Sequence, residues 1–330
     1  MLRARMIGVG AAAPKKILTN HDLEKIVDTN DEWITSRSGI KQRRIATEDE
    51  VTSDFATIAT KAALEMAGVK AADLDLIVLG TASPDMPLPA TACFVQRNIG
   101  AKKAAAFDVI AGCSGFLYAL SVGEQYVRSG AAKNVAVIGV EVLSKFLNWK
   151  DRTTCILFGD GGGTVILRAE EVTDKKQSQI YSTHIHSDGD GWNLITIPGG
   201  GTVNPSSYRT VDEGMHAIHM QGKETFKLAV RNIADVAVEA MEANGVTKDE
   251  VTHLISHQAN SRIIDAVVDR LGLPKEKVHM NLDRYGNTSA GSVPLGLDEA
   301  VRAGKVKTGD VMLMTAFGSG LTWGSALARW

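Results

Sequence analysis

The sequence predicts an α/β fold with an internal duplication, and three observations lead there. Four short apolar runs read as strands: Leu74–Leu79, Val135–Val140, Val251–Ser256 and Val311–Ala316. Amphipathic helical stretches alternate with them. The second pair of runs repeats the first at a nearly constant spacing. Strands that alternate with helices imply a parallel sheet covered on both faces.

The runs are short, rich in Val, Ile and Leu, and bounded by turn residues, which suits strands buried on both sides better than helices. The clearest helix carries Phe226, Val230, Ile233, Ala237 and Met241, spaced so that all lie on one face. LDLIVLG begins at Leu74 and VTHLISH at Val251, an offset of 177; NVAVIG begins at Asn134 and DVMLM at Asp310, an offset of 176. Between the members of each pair a helix ends in similar words, Val127-Arg128-Ser129-Gly130 and Val301-Arg302-Ala303-Gly304. A repeated β/α unit accounts for this, although two ordinary βαβ units could match by coincidence. The expected halves are residues 1–170 and 171–330. Residues 171–220 have no clear counterpart; rich in Gly, Ser, Asp and His, they are expected to form strands and loops at the join. At the other end, Arg3, Arg5 and Met6–Ala13 faintly resemble a signal peptide. The apolar stretch is short, glycine-rich and followed by Pro14-Lys15-Lys16, so it reads as a first strand.

Composition narrows the function. Among 330 residues, 36 Lys and Arg face 38 Asp and Glu, for a formal net charge of -2. Such a chain has no global basic field to attract nucleic acid or anionic lipid. No apolar run approaches the ~18 residues of a membrane-spanning helix. The three cysteines, Cys93, Cys113 and Cys155, do not make a secreted disulfide framework. A cytoplasmic protein without nucleic-acid or membrane partners is expected.

Cys113 stands in Ile110-Ala111-Gly112-Cys113-Ser114-Gly115-Phe116, where a strand ends and an amphipathic helix begins. Unpaired N–H groups and the positive end of the helix dipole favour the thiolate there. The same N–H groups can hold an oxyanion. A small residue packed at a tight turn fits this context equally well. His257 follows the run Val251–Ser256, and Asn287 sits in Tyr285-Gly286-Asn287-Thr288-Ser289. Alone, each is as readily structural, the histidine in the core and the asparagine as a turn or cap residue. Together they gain weight, because Cys113 maps by the 177 offset onto Ala290, three residues after Asn287. Both duplicated turns therefore carry polar or reactive groups, at the strand ends where open α/β sheets bind ligands.

Other motifs point nowhere specific. Gly8-Val9-Gly10-Ala11-Ala12-Ala13 fits a dinucleotide fingerprint, but Pro14 obstructs the helix that must follow. Gly159-Asp160-Gly161-Gly162-Gly163-Thr164 lacks the Lys-Ser/Thr of a phosphate loop. His184, His186, Asp188 and Asp190 fail as a calcium loop, because Gly199 stands where the closing Glu is needed. Zinc through the two histidines stays open.

With these residues in hand, the chain resembles the β-ketoacyl-acyl carrier protein synthase III family of thiolase-like condensing enzymes. The matching words are Asp31-Glu32-Trp33-Ile34, Arg37-Ser38-Gly39-Ile40, Gly112-Cys113-Ser114-Gly115-Phe116, Trp149-Lys150-Asp151-Arg152 and Phe158-Gly159-Asp160-Gly161 in the first half. The second half gives His257-Gln258-Ala259-Asn260, Gly286-Asn287-Thr288-Ser289-Ala290, Phe317-Gly318-Ser319-Gly320 and Thr322-Trp323-Gly324. The resemblance implies a five-layered αβαβα thiolase-like fold, a homodimer, and no metal or bound cofactor. It implies a ping-pong condensation that starts type II fatty-acid synthesis. Cys113 would take an acyl group from acyl-coenzyme A. His257 and Asn287 would stabilise the enolate formed when malonyl-acyl carrier protein loses carbon dioxide. The backbone N–H groups of Cys113 and Ser319 would form the oxyanion hole, with Phe317 against the decarboxylation site.

By the same resemblance Trp33 and Arg152 would sandwich the adenine of coenzyme A, and Arg37 would contact the nucleotide. Phe226, Asn260 and Arg262 would line the pantetheine tunnel or its mouth. Lys227, Arg231, Arg262 and Arg270 are expected to flank that mouth and to dock an acidic carrier protein. Leu88, in the segment Pro84–Pro89 that a partner subunit would donate, stands where some relatives place an aromatic ring at the end of the acyl pocket. A deeper pocket follows, taking primers of about four to eight carbons, each added methylene being worth about 0.8 kcal/mol. The chain departs from the family pattern at Ser319, where many relatives have Gly, and at Lys223, where some have a tunnel asparagine and which is left out of the site. Related readings are a condensing enzyme or acyltransferase of secondary metabolism on the same fold. A thioester hydrolase using Cys113, or a non-catalytic partner subunit, is also conceivable; the intact Cys113, His257 and Asn287 argue against the latter.

Overall fold

Apolar strands buried on both faces need helices above and below them, and a computed structural model, describing residues 1–330, shows how the chain meets that demand. The first half runs β1 (Leu2–Ala12), β2 (Ile17–Thr19), α1 (Asn20–Leu23), α2 (Asp31–Ser38), β3 (Gln42–Arg44) and α3 (Thr52–Ala67). It continues through β4 (Leu76–Gly80), α4 (Thr91–Ile99), β5 (Ala105–Val109), α5 (Gly115–Arg128), β6 (Asn134–Glu141) and β7 (Gly161–Glu171). The second half runs β8 (Gln179–Ser187), β9 (Ile195–Thr196), α6 (Tyr208–Asp212), β10 (His219–Met220), α7 (Gly222–Asn244) and β11 (His253–Ser256). It ends with α8 (Ser261–Leu271), α9 (Leu282–Tyr285), α10 (Ser292–Arg302), β12 (Val311–Gly318) and β13 (Thr322–Arg329).

Two large sheets form, ordered β1-β7-β6-β4-β5 and β8-β13-β12-β11, beside the two-stranded pairs β2-β3 and β9-β10. Helices α3 and α4 cover the outer face of the first sheet, α5 and α10 lie between the sheets, and α7 and α8 cover the second. This is the five-layered αβαβα arrangement. The single parallel sheet read from the alternation is corrected to two mixed sheets. Strands joined through helices, β4, β5 and β6, are parallel, as are β11 and β12. But β13 returns from β12 after a turn of only three residues, 319–321, too short for a crossover, so that pair is antiparallel. β1 and β6 likewise both run antiparallel to β7.

The repeat is more regular than its words. β4 to β11, β6 to β12, α5 to α10 and the 3₁₀ turns Gly112–Ser114 to Ser289–Gly291 all keep the offset of 177, from starts at 76 and 253, 134 and 311, 115 and 292, 112 and 289. So does β1 to β8, from 2 to 179. The stretch 171–220 thus holds a counterpart of β1 after all; its sequence, QIYSTHIHS against LRARMIGVGAA, shares almost no residue identity with it. The expected division at 170/171 falls on the last residue of β7. The halves share a core: α10 packs on β1 and β7, and one cluster joins Val9, Val137 and Leu167 to Ile255, Val293 and Met314. No helix is long and apolar enough to cross a membrane. Residues 2–12 form β1 and no helix begins at Pro14, which disposes of the dinucleotide pattern.

Candidate active site

The two equivalent turns meet. Gly112–Ser114, leading into α5, lies against Ser289–Gly291, leading into α10, and against the end of β12. Gly112 has φ +48, and a Cβ there would stand 2.8 Å from the Ser319 nitrogen; a Cβ on Gly318 would strike the Cys113 nitrogen. Only glycine allows backbones this close. Ser319, where many relatives have Gly, is not at a positive φ; the positive φ of this turn, +135, is borne by Gly320.

One cavity of about 810 Å³ contains Cys113, His257 and Asn287 together with Phe317 and Ser319. His257 follows β11, its N–H donating to Thr315 O at 2.7 Å. Ser292 Oγ holds its Nδ1 at 2.7 Å, which leaves Nε2 as the ring nitrogen on the cavity side. Burial pushes His257 down to about 4, against the opposing pull of the Ser289 carbonyl, so the ring is neutral near pH 7. Asn287 is fixed through its backbone, N–H to Leu157 O at 2.8 Å and C=O from Gly159 N at 3.0 Å. Its Oδ1 accepts from Ser289 N at 2.8 Å. The amide donor, Nδ2, is therefore the end left for a ligand.

The expectation of a thiolate at Cys113 is corrected. Burial pushes the thiol up to about 12; the Ser289 hydroxyl pulls it down, and the Glu141 carboxylate pushes it up again. Desolvation outweighs the turn's favourable dipoles, and the free thiol is neutral.

Near the cavity mouth the Arg37 and Arg152 guanidiniums both lie over the Trp33 ring, 5.2 and 5.5 Å from its centroid. Arg152 also donates to Asp28 O at 3.0 Å and Oδ2 at 3.1 Å. The pair expected to sandwich adenine is thus stacked on itself, and a base entering there must first displace Arg152. Phe226 lies under the Arg262 guanidinium at 5.8 Å. Asn260 caps α8, accepting from Arg262 N at 2.9 Å, and ties α2 by donating to Arg37 O at 3.0 Å.

The charges around this mouth have one sign. Arg37, Lys223, Lys227 and Arg262 line the cavity, and no Asp or Glu does. Lys223, set aside on sequence grounds, therefore belongs to the lining. Arg231 is exposed one turn further along α7. Arg270 does not flank the mouth. It sits eight residues beyond Arg262, about 12 Å along α8, and pairs with Asp235 at 2.8 Å.

Leu88 is 83% exposed and lies outside this chain's cavity. The apolar branch of the cavity comes instead from Leu143, Phe158, Ile195, Ile197, Ile218 and Met220. None was singled out from the sequence. The period-two alternation of Ile195-Thr196-Ile197 and Ile218-His219-Met220 was the available signal. His184 and His186 each bond one oxygen of Glu239, at 3.2 and 2.6 Å.

Two family models match: the C-terminal region of 3-oxoacyl-[acyl-carrier-protein] synthase III over residues 241–330, and 3-oxoacyl-[acyl-carrier-protein] synthase III over residues 107–189. The chain is similar to β-ketoacyl-[acyl-carrier-protein] synthase III of Caldanaerobacter subterraneus, 50% identical over 329 residues, covering 100% of this chain and 98% of the relative. Among solved structures it is similar to 3-oxoacyl-[acyl-carrier-protein] synthase III of Aquifex aeolicus, at 47% identity and a TM-score of 0.90, covering 99% of this chain and 100% of that one. It is also similar to the priming β-ketosynthase of the R1128 polyketide pathway, at 35% identity and a TM-score of 0.90, covering 99% and 96%.

Proposed function

The chain belongs to the β-ketoacyl-[acyl-carrier-protein] synthase III family, condensing enzymes that transfer acyl groups in fatty-acid synthesis, and from that premise we propose that Cys113, His257 and Asn287 carry out its decarboxylative condensation of an acyl-coenzyme A with malonyl-acyl carrier protein. The observation that carries the assignment is their convergence from both halves, 1–170 and 171–330, on one cavity whose charged lining is wholly cationic.

Cys113 Sγ attacks the acyl-coenzyme A thioester. The carbonyl oxygen takes hydrogen bonds from the backbone N–H groups of Cys113 and Ser319, the carbon–sulfur bond to coenzyme A breaks, and coenzyme A leaves as the thiol. Malonyl-acyl carrier protein then enters. As carbon dioxide departs, the thioester oxygen becomes an enolate held by His257 Nε2 and Asn287 Nδ2. A neutral histidine and an amide stabilise that charge without a competing carboxylate. The enolate carbon attacks the acyl-Cys113 carbonyl and releases the β-ketoacyl product, with Phe317 walling the site. Trp33, Arg37 and Arg152 receive the nucleotide, Phe226, Asn260 and Arg262 the pantetheine arm. Lys227, Arg231 and Arg262 attract an acidic carrier protein.

The active form is a cytoplasmic homodimer. β5 leaves the edge of its sheet open, and Ile110 just beyond it is 78% exposed. Asp108 holds Thr91 N and Ala92 N at 2.6 and 2.8 Å, which sets the 84–90 segment beside that edge. Leu88, exposed in one chain, then closes the acyl branch of its partner. Incubation with a panel of acyl-coenzyme A thioesters and malonyl-acyl carrier protein tests the reading. β-Ketoacyl-carrier protein and carbon dioxide in equal amounts are expected; hydrolysis without condensation would make the chain a thioesterase.

A further inference from the structure

Glu141 ends β6, fully buried, with no cation among its partners. Four donors surround its carboxylate: Thr81 Oγ1 at 3.0 Å, Ala82 N at 3.0 and 3.1 Å, Ser83 Oγ at 2.5 Å and Ser289 Oγ at 3.1 Å. Ser289 lines the same cavity as Cys113, on the turn packed against the one that carries it, and its hydroxyl acts to lower the Cys113 pKa. The serine is held on three sides. Its N–H donates to Asn287 Oδ1, its C=O lies 2.9 Å from Ser292 Oγ, and its Oγ meets Glu141. Ser289 is the only non-glycine residue with positive φ, at 48°. A conformation that costs energy persists where the surroundings impose it, and such positions gather at working sites.

A neutral thiol must lose its proton to act as a nucleophile. We propose that Glu141, acting through Ser289, accepts the Cys113 proton during acyl transfer, as a positioning residue for that half of the reaction; this rests on Cys113 being the nucleophile. As Sγ bonds to the thioester carbon, the S–H proton passes to Ser289 Oγ and the Ser289 hydroxyl proton passes to Glu141. When the carbon–sulfur bond to coenzyme A breaks, the leaving thiolate recovers a proton by the reverse path. Glu141 ends ionised, Cys113 acylated and coenzyme A as the thiol, with no other reactant consumed.

The titration of the buried groups supports this. Burial pushes Glu141 up to about 7, against the hydrogen bonds of Ser83, Ala82, Thr81 and Ser289. A base serves best when it titrates near the working pH. His257, held down at about 4, does not titrate there. Few charges face Glu141. The turn after β4 offers only Thr81, Ala82 and Ser83, the second turn Ser289, and the first turn Cys113. β7 pairs Gly161 opposite it, and the neighbouring Asp160 gives its carboxylate to Ala46 N, Ser144 N and Ser144 Oγ.

The test follows Cys113 directly. Its alkylation by iodoacetamide, read by mass on the peptide that holds it, should rise through about pH 7 in the wild type, as Glu141 ionises. Glu141→Gln should abolish that inflection. It should slow acylation from a small coenzyme A thioester at least ~10-fold more than decarboxylation of malonyl-acyl carrier protein, as general-base assistance is worth roughly 10² or more. Ser289→Ala interrupts the same path with Glu141 in place, and should reproduce both effects if Glu141→Gln does not fold. An unchanged inflection in either folded variant, or equal loss in both half-reactions, would overturn the relay. If Cys113 takes up no acyl group at all, the proposed function fails and takes the relay with it; an acylated Cys113 with an unchanged inflection overturns the relay alone.

Discussion

At Cys113 two physical effects oppose one another. The turn points backbone dipoles at the sulfur and favours its anion; burial penalises the same charge and wins, at about 12. Reactivity there has to come from proton movement and oxyanion stabilisation during the reaction. Cys113, His257 and Asn287 stand out in the sequence because each lies in or beside a turn that leads into a helix of the repeat, although Asn287 follows α9 and not the strand expected there. It did not reveal Ser289, Ser292 or Glu141 as their supports, because a hydroxyl's partner depends on which way a turn faces, and no spacing rule records that. The division of labour is testable at this scale. His257→Ala and Asn287→Ala should leave acylation of Cys113 nearly intact. Each should cut condensation by about 10² to 10³, the usual cost of one oxyanion donor. Single-turnover acylation and overall turnover, measured side by side, check this; equal losses in both for Asn287→Ala would contradict it.

Among the elements, α7 and α8 run side by side with Phe226 against Arg262 at one end and Asp235 against Arg270 at the other. Helical periodicity made α7 legible, but it could not show which of four basic residues reaches the mouth. Arg270 is spent on Asp235; Lys227 and Arg262 are not, and stand over the cavity. Arg262→Glu should raise the KM for malonyl-acyl carrier protein at least ~10-fold more than it raises the KM for a small coenzyme A thioester, which meets Arg262 only through its pantetheine arm. The wild-type rate with carrier protein should fall as salt rises, since the Debye length shrinks from about 10 Å at 0.1 M to about 3 Å at 1 M. A salt-independent rate would exclude electrostatic docking.

For the whole molecule, the duplication was readable where buried strands recur, and lost where β8 replaces β1, because exposure and partners differ along those two strands. Sheet direction does not follow from the runs: an apolar run has the same pattern whether its neighbour is parallel or antiparallel, and the three-residue link at 319–321 decides it only for β12 and β13. The open edge of β5 belongs to the same scale. Ile110→Glu puts a charge at the proposed subunit contact and should convert dimer to monomer in sedimentation analysis. Condensation should fall with it, because the partner's Leu88 no longer closes the acyl branch; a wild-type chain that sediments as a monomer while fully active would remove this part of the account. Intact-protein mass after mixing with acyl-coenzyme A tests whether both halves of the chain serve one nucleophile. One acyl group per chain should appear on the peptide that holds Cys113, vanish when malonyl-acyl carrier protein is added, and never form on Cys113→Ala. An acyl group found on Cys93 or Cys155, or still taken up by Cys113→Ala, would contradict it.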